Sequence, residues 1–289
     1  MSAVISLLDK TVMHRYARHR MTLPLLVGIS QTTVGLLVLA FAGLPAEATL
    51  TNVALAAGSG LLFGLGGQIL MRILYTQEVS RTIPVFHTFP LFTAIVAFVV
   101  LDERLTALQW LAVFATVVGA VLLSVRIDSK YRALLLHRSF FYLMVGSALA
   151  GSAHVAGKAA VDELPVLFTH GVRMLALGIL FLGFNARRGP YAEVRAFVRE
   201  RSRALLFVGA NELVIANASL FVALYALSLG PASLVTALLG TRSLFVVAYS
   251  VTLALVWKGA LGEETHRSAV VVKVVATAVI VAGITGIAL

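Results

Sequence analysis

Apolar residues in this chain do not alternate with polar ones; they run in long blocks separated by short charged gaps. Nine blocks approach the roughly 20 residues that a helix needs to cross a bilayer: Leu23–Gly43, Asn52–Tyr75, Thr82–Leu101, Ala107–Val125, Ser139–Ala160, Pro165–Phe184, Ala204–Ser228, Ser233–Val256 and Ser268–Leu289. A soluble all-α protein has no use for so many such runs. The pattern therefore predicts an all-α fold, a polytopic bundle of transmembrane helices.

The gaps are too short to hold a soluble domain. The longest connection, "ARRGPYAEVRAFVRERSR" (186–203), sets Tyr191, Val194, Phe197 and Val198 at helical spacing among arginines. This suits an amphipathic turn on an anionic membrane surface, or equally a solvated basic loop. Counting Met1–Lys10 as the first span, one set of alternate gaps carries Arg15, Arg18, Arg20, Arg81, Arg126, Lys130, Arg132, Arg138, Arg187, Arg188, Arg195, Arg199, Arg201, Arg203, Lys258 and Arg267. The opposite set carries Arg104 alone. Such asymmetry places the basic face in the cytoplasm of a cell membrane, plasma or inner.

Composition agrees. The chain of 289 residues is 60% hydrophobic and 12% charged, against about 25% charged in soluble domains. Its net charge of +10 is a topology signal held in loops, so nucleic acid is not an expected partner. Cysteine is absent, which excludes disulfides, thiolate metal sites and a cysteine nucleophile. Met1–Leu8 is too short for a cleavable leader, and basic residues follow it where they should precede it.

The chain also repeats itself. "LYTQEVSRTIPVFHTFPLFTAIVAF" (74–98) matches "LYALSLGPASLVTALLGTRSLFVVAYS" (224–250) in Leu-Tyr and, after a slip, in Leu-Phe. "LPLLVGISQTTVGLLVLAFAG" (23–43) resembles "LPVLFTHGVRMLALGILFLGF" (164–184), and "LLDK" ending at Lys10 corresponds to "HVAGK" ending at Lys158. Two units of five helices follow, 1–125 and 139–289. An odd number per unit turns the second upside down, an arrangement of transporters with a site near the midplane.

"PLFT" in the fourth span, the acidic-Glu-Arg-Leu turn and "QWLAVFATVVGAVLL", with "LYALSLGPASLVTALLGTRSLF" as their second-half counterpart, resemble the EamA-type members of the drug/metabolite transporter superfamily over nearly the whole chain. The resemblance implies ten helices in two inverted five-helix units that move small metabolites, often outward. Two departures are plain. The first span is about half the length of its counterpart, so a truncated first helix or an upstream start is expected. The charge bias also puts the C-terminus outside, opposite to the family's habit.

Asp102, Glu103 and Arg104 then fill the turn between the fourth and fifth spans, anchoring both, with Glu103 placed to cap the helix beginning near Thr106. Ionisable groups deep in spans are costly and mark sites or pairs. Arg173, Glu212 and Arg242 lie at similar depths in the second unit, as two bases holding a substrate's anionic group and a carboxylate serving as counter-ion and coupling group; a packing ion pair is the alternative. His154 and Lys158 share one helix face, extended by Asp162. Asn211 and Asn217, with Gln31 and Gln68, add polar lining. Arg72, Glu78, His87 and Lys273 lie near span ends, where they could snorkel. The glycines of "GSGLLFGLGG" (58–67) set Gly60 and Gly64 in close-packing register.

No enzyme is read here. "GSAHVAGKA" (151–159) lacks phosphate-loop spacing, and HExxH and nucleophile-elbow signatures are missing. The function expected is secondary transport, as an exporter, of a small organic anion or zwitterion by alternating access. A lipid-headgroup flippase or lipid carrier is the alternative. Partners are a small-molecule substrate and membrane lipids, the assembly is a monomer or homodimer, and no cofactor or metal is expected.

Overall fold

The computed structural model describes residues 9, 18–102, 104, 106–128, 133–136, 138–240, 242–256 and 267–287. Its elements in chain order are α1 (Thr22–Ala42), α2 (Leu50–Leu74), α3 (Val79–Phe86), α4 (Phe89–Val100), α5 (Ala107–Ser124), β1 (Val125–Asp128), β2 (Ala133–Leu136), α6 (Arg138–Val161), α7 (Val166–Asn185) and α8 (Arg188–Arg199). There follow α9 (Arg203–Val208), a π-helical segment (Gly209–Ala216), α10 (Asn217–Leu229), α11 (Ala232–Gly240), α12 (Arg242–Val256) and α13 (Arg267–Ile287). Among the described residues seven spans are long and apolar enough to cross a membrane, and Ala107–Thr116 and Val270–Gly286 are shorter apolar stretches. These correspond one to one with the nine blocks, so the chain is a polytopic helical bundle. The expected first helix lies outside the described residues except for Asp9.

The link after α5 is not a plain loop. Val125–Asp128 pairs antiparallel with Ala133–Leu136 in a two-stranded hairpin. The start of α5 carries a cap of its own. Thr106 N–H donates to Gln109 Oε1 (2.7 Å) and Gln109 N–H to Thr106 Oγ1 (3.3 Å). This reciprocal capping box satisfies two amides that the helix start leaves open. Glu103 itself lies outside the described residues, while Asp102 makes the turn at φ 54°.

Glycine seams draw the helices together. Between α1 and α7, Gly28 meets Leu182, Gly35 meets Leu175, and Gly178 meets Thr32 at backbone contact. Gly66 of α2 faces the Gly146 carbonyl of α6, where an added Cβ would come within 2.7 Å. Gly119 of α5 faces Ile280 of α13, and Gly283 of α13 faces Ala112 and Thr116. Gly60 abuts the backbone of Arg173 and Gly64 packs on Leu177 and Leu180, the close-packing role their spacing suggests. Lipid tails are as apolar as the helix faces, so backbone proximity and dispersion must hold such helices together.

One span is broken in the middle. Pro84 lies inside α3 and Pro90 occupies the first turn of α4. Pro90 has no N–H to carry the ladder on from Phe86, so it lapses at the Thr88 turn and restarts with proline already at a helical φ. The Val85 carbonyl at the break accepts both the Thr88 N–H (3.3 Å) and the Thr88 hydroxyl (2.8 Å), as backbone polar groups inside a bilayer require. Residue 241, between α11 and α12, lies outside the described residues. α3 packs against α12 and α4 against α11, so the broken span lies antiparallel across the stretch formed by α11 and α12.

The basic connection 186–203 forms α8, but its apolar face is not free for lipid. Val194 and Phe197 are buried in the same cluster as Leu23, Leu25 and Val27, leaving Tyr191 and Val198 exposed. Its Glu193 receives the Arg18 N–H (2.7 Å), the His19 N–H (3.2 Å) and the Thr22 hydroxyl. A carboxylate thus sits on the positive N-terminal end of α1.

Candidate functional site

A cavity of about 190 Å³ lies between the two halves of the chain. Its walls are mostly apolar, with Phe63, Phe86, Phe89, Leu177, Phe181 and Leu220 among them. Its polar lining is Asp9, Gln31, His87, His154, Ser219, Glu212 and Arg242. The break delivers His87 at the end of α3, and α12, packed against α3, brings Arg242. A break places side chains where an unbroken helix would continue, which is why such interruptions form sites in transporters.

Glu212 is held by the π-helical segment. A π-turn widens the helix by one residue and recurs at functional positions. It brings Asn217, five residues on, back over Glu212: Asn217 Nδ2 donates to the Glu212 carbonyl at 2.5 Å. Gln31 Nε2 from α1 approaches the same carbonyl (3.5 Å) and Glu212 Oε2 (3.4 Å). Asn211 Nδ2 donates to Glu212 Oε1 (3.0 Å) and also to Asp9 Oδ1 (2.8 Å). One amide therefore bridges carboxylates from the two halves of the chain. Arg242 lies within electrostatic reach of Asp9 and of His87.

The candidate residues do not all converge. Glu212, Arg242, His154 and Gln31 line the cavity, while Asn211 stands behind it as the bridging donor. Arg173 is outside the lining. It is fully buried, with its guanidinium carbon 5.0 Å from the centroid of Phe63, and none of its side-chain nitrogens donates a hydrogen bond among the described residues. Lys158 is also outside, paired with Asp162 at 2.5 Å, and so is Gln68, buried without a hydrogen-bond partner among the described residues.

The charge balance expected for the cavity is accordingly reversed. Two bases and one acid were read from the second half; the described lining holds two acids, Asp9 and Glu212, and one guanidinium, Arg242. Sequence reasoning missed Asp9 because it falls in a stub of a span. It also set His87 near a span end, whereas His87 is buried and rings with Phe86 (5.9 Å) and Phe89 (5.3 Å). His154 extends this aromatic row between Phe89 (4.9 Å) and Phe63 (5.7 Å). His170, not singled out in the sequence, is buried against Phe221.

Three of the four residues read as snorkelling at span ends do something else. Only Arg72 is exposed. Glu78 and Lys273 are buried and joined at 2.5 Å, and Arg81 reaches the same carboxylate at 3.4 Å. His87 is the third.

Among the described residues no cluster of His, Cys, Asp or Glu suits a metal ion. No curated protein matches the sequence. A solved crystal structure is similar in fold, with a TM-score of 0.57 at 16% identity, covering 98% of this chain and 94% of the other. Residues 9–125, which include Asp9, Gln31 and both halves of the broken span, match the model of the EamA-like transporter family. That match, on a helical bundle of many apolar spans, is consistent with an EamA-type transporter of the drug/metabolite transporter superfamily.

Proposed function

We propose that the chain is a secondary transporter in the cell membrane that carries a small, largely apolar zwitterion outward by alternating access between two inverted five-helix units, 1–125 and 139–289. One observation carries this reading. A single cavity between the halves pairs an apolar, aromatic wall with carboxylates and a guanidinium at its polar lining. A substrate ammonium would face Asp9 and Glu212, a substrate carboxylate would face Arg242, and an aliphatic or aromatic body would fill the space among Phe63, Phe86, Phe89 and Phe181. Charged groups at such depth are costly unless they meet a partner or a ligand. No ATP-binding motif was read in the sequence, which favours a gradient as the energy source.

The test is a matched series on purified protein: an aliphatic amino acid, the amine lacking its carboxylate and the acid lacking its amine. Ligands that bind only the folded state raise its melting temperature. The amino acid should shift it most, and uptake into proteoliposomes should follow the same order. Stronger stabilisation by the free acid would restore the anion reading. Flux of labelled phospholipid in place of soluble substrates would favour the flippase. Sidedness is tested on the cysteine-free chain: cysteines at Arg188 and Arg132 should resist impermeant thiol reagents in intact cells, and one at Ala46 should react.

A further inference from the structure

The two carboxylates of the cavity share more than a location. Asp9 Oδ1 and Glu212 Oε1 accept from the two hydrogens of one amide nitrogen, Asn211 Nδ2, at 2.8 and 3.0 Å. Both residues are buried, Asp9 8% and Glu212 4% exposed. Acceptors outnumber donors around them. Asn211 Oδ1 and Gln31 Oε1, each on a residue 2% exposed, have no hydrogen-bond partner among the described residues. These oxygens belong to the two residues that touch the carboxylates, so the cluster offers lone pairs and asks for a positive charge or a donated proton. Among the described residues, the charged and titratable groups that face it from the packed elements are Arg242 of α12, His87 at the end of α3 and His154 of α6. Arg242 can neutralise one carboxylate. The other is left beside a like charge in a low-dielectric setting, where two adjacent carboxylates do not both stay ionised.

We propose that Asp9 and Glu212 form one exchange site that holds a single proton between them and gives it up when a cationic group of the substrate enters the cavity. The idea rests on the cavity reading above and adds to it the coupling ion and a second coupling residue. Asp9 comes from the start of the chain and Glu212 from the second unit, so the proton sits at the seam between the units, where a change in their relative position alters its environment. Substrate and proton then compete for the same oxygens, and an inward proton gradient is converted into outward substrate flow. Neither carboxylate can perform this alone: with its fellow removed, each faces Arg242 and remains an anion.

Labelling by dicyclohexylcarbodiimide tests this on the purified full chain without any substrate. The reagent attacks only a protonated carboxyl. The carboxyl proton passes to a carbodiimide nitrogen, the carboxyl oxygen bonds to the central carbon, and the adduct rearranges to a stable N-acylurea that peptide mass spectrometry locates. One equivalent per chain is expected on the pair. In both Asp9→Asn and Glu212→Gln, labelling of the remaining carboxyl should fall on the order of tenfold or more, the effect of removing one neighbouring charge. Sodium chloride in place of choline chloride should make no difference. Two equivalents, or wild-type labelling of either carboxyl in the other's absence, would overturn the shared proton. Protection by sodium would instead make the pair a sodium site. No labelling at neutral pH would show both carboxylates ionised. Either variant alone decides, provided it elutes as a single species. Because no transport is measured, the pair can label as expected even where the transport reading fails, and the reverse also holds.

Discussion

Two buried acids sit in this bundle in opposite circumstances. Glu78, at the start of α3, meets Lys273 at 2.5 Å and Arg81 at 3.4 Å, so bases close around one acid. Glu212 stands with a second acid, amides that leave acceptor oxygens over, and an open cavity on one side. The first arrangement is complete within the protein and ties the beginning of a broken span to α13. The second is complete only with something positive added. Burial alone does not distinguish a structural charge from a working one; the count of partners does.

Breaking the second arrangement should have the largest effect on function and little on folding. Glu212→Gln keeps the shape and the amide contacts, so the protein should insert and purify normally while proteoliposome transport is abolished or uncoupled. Normal transport would reduce Glu212 to packing. Breaking the first should do the reverse. Lys273→Met leaves Glu78 without its main partner, and losing one member of a buried pair costs about 3–5 kcal/mol. The melting temperature in detergent should fall sharply, and Glu78→Gln added to Lys273→Met should recover most of it.

A smaller contrast sharpens the packing. At Gly60 a Cβ would strike the backbone of Arg173, whereas at Gly58 it would meet open space. Gly60→Ala should cost about 1–3 kcal/mol as overpacking, and Gly58→Ala should be neutral or stabilising by up to about 1 kcal/mol through helix propensity. Equal melting temperatures for the two would mean that the α2–α7 seam yields more easily than its contacts suggest. The smallest effect belongs to Arg173, which neither lines the cavity nor donates a hydrogen bond among the described residues. Arg173→Met should be neutral or stabilising by about 1 kcal/mol, because an apolar chain replaces an uncompensated buried charge. Its ligand preference should not change, while Arg242→Ala should lose discrimination for a substrate carboxylate. A loss of anion binding in Arg173→Met would return that arginine to the site.

The spans were legible because each is an unbroken apolar run near bilayer length, and the glycine seam was legible from the spacing of Gly60 and Gly64. What escaped notice was the charge that a partner elsewhere makes tolerable. Glu78 and Arg81 looked like the edge of a span, so the boundary was drawn at Thr82 and His87 fell near an end. Lys273 buries Glu78, the helix begins at Val79, and His87 moves to the middle. The capping box of α5 was readable as Thr106 followed three residues later by Gln109. The π-helical segment was not readable, because Glu212 and Asn217, five residues apart, fall on different sides of an α-helix and meet only when the turn is widened. Asp9 was hidden for a different reason: its partners, Asn211 and Glu212, lie in the other half of the sequence.

The glycine seams also constrain how such a molecule can move. Each of the three tight pairs, α1 with α7, α2 with α6 and α5 with α13, takes one helix from each half of the sequence. A seam closed at backbone contact resists sliding, so a change in the relative position of the two units has to be taken up where the packing is looser than at these pairs. The compliant piece is the broken span α3–α4, whose interrupted ladder bends without losing further backbone hydrogen bonds. The mechanical joint of the molecule thus coincides with the place where His87 enters the cavity, so the part that flexes also carries a titratable group.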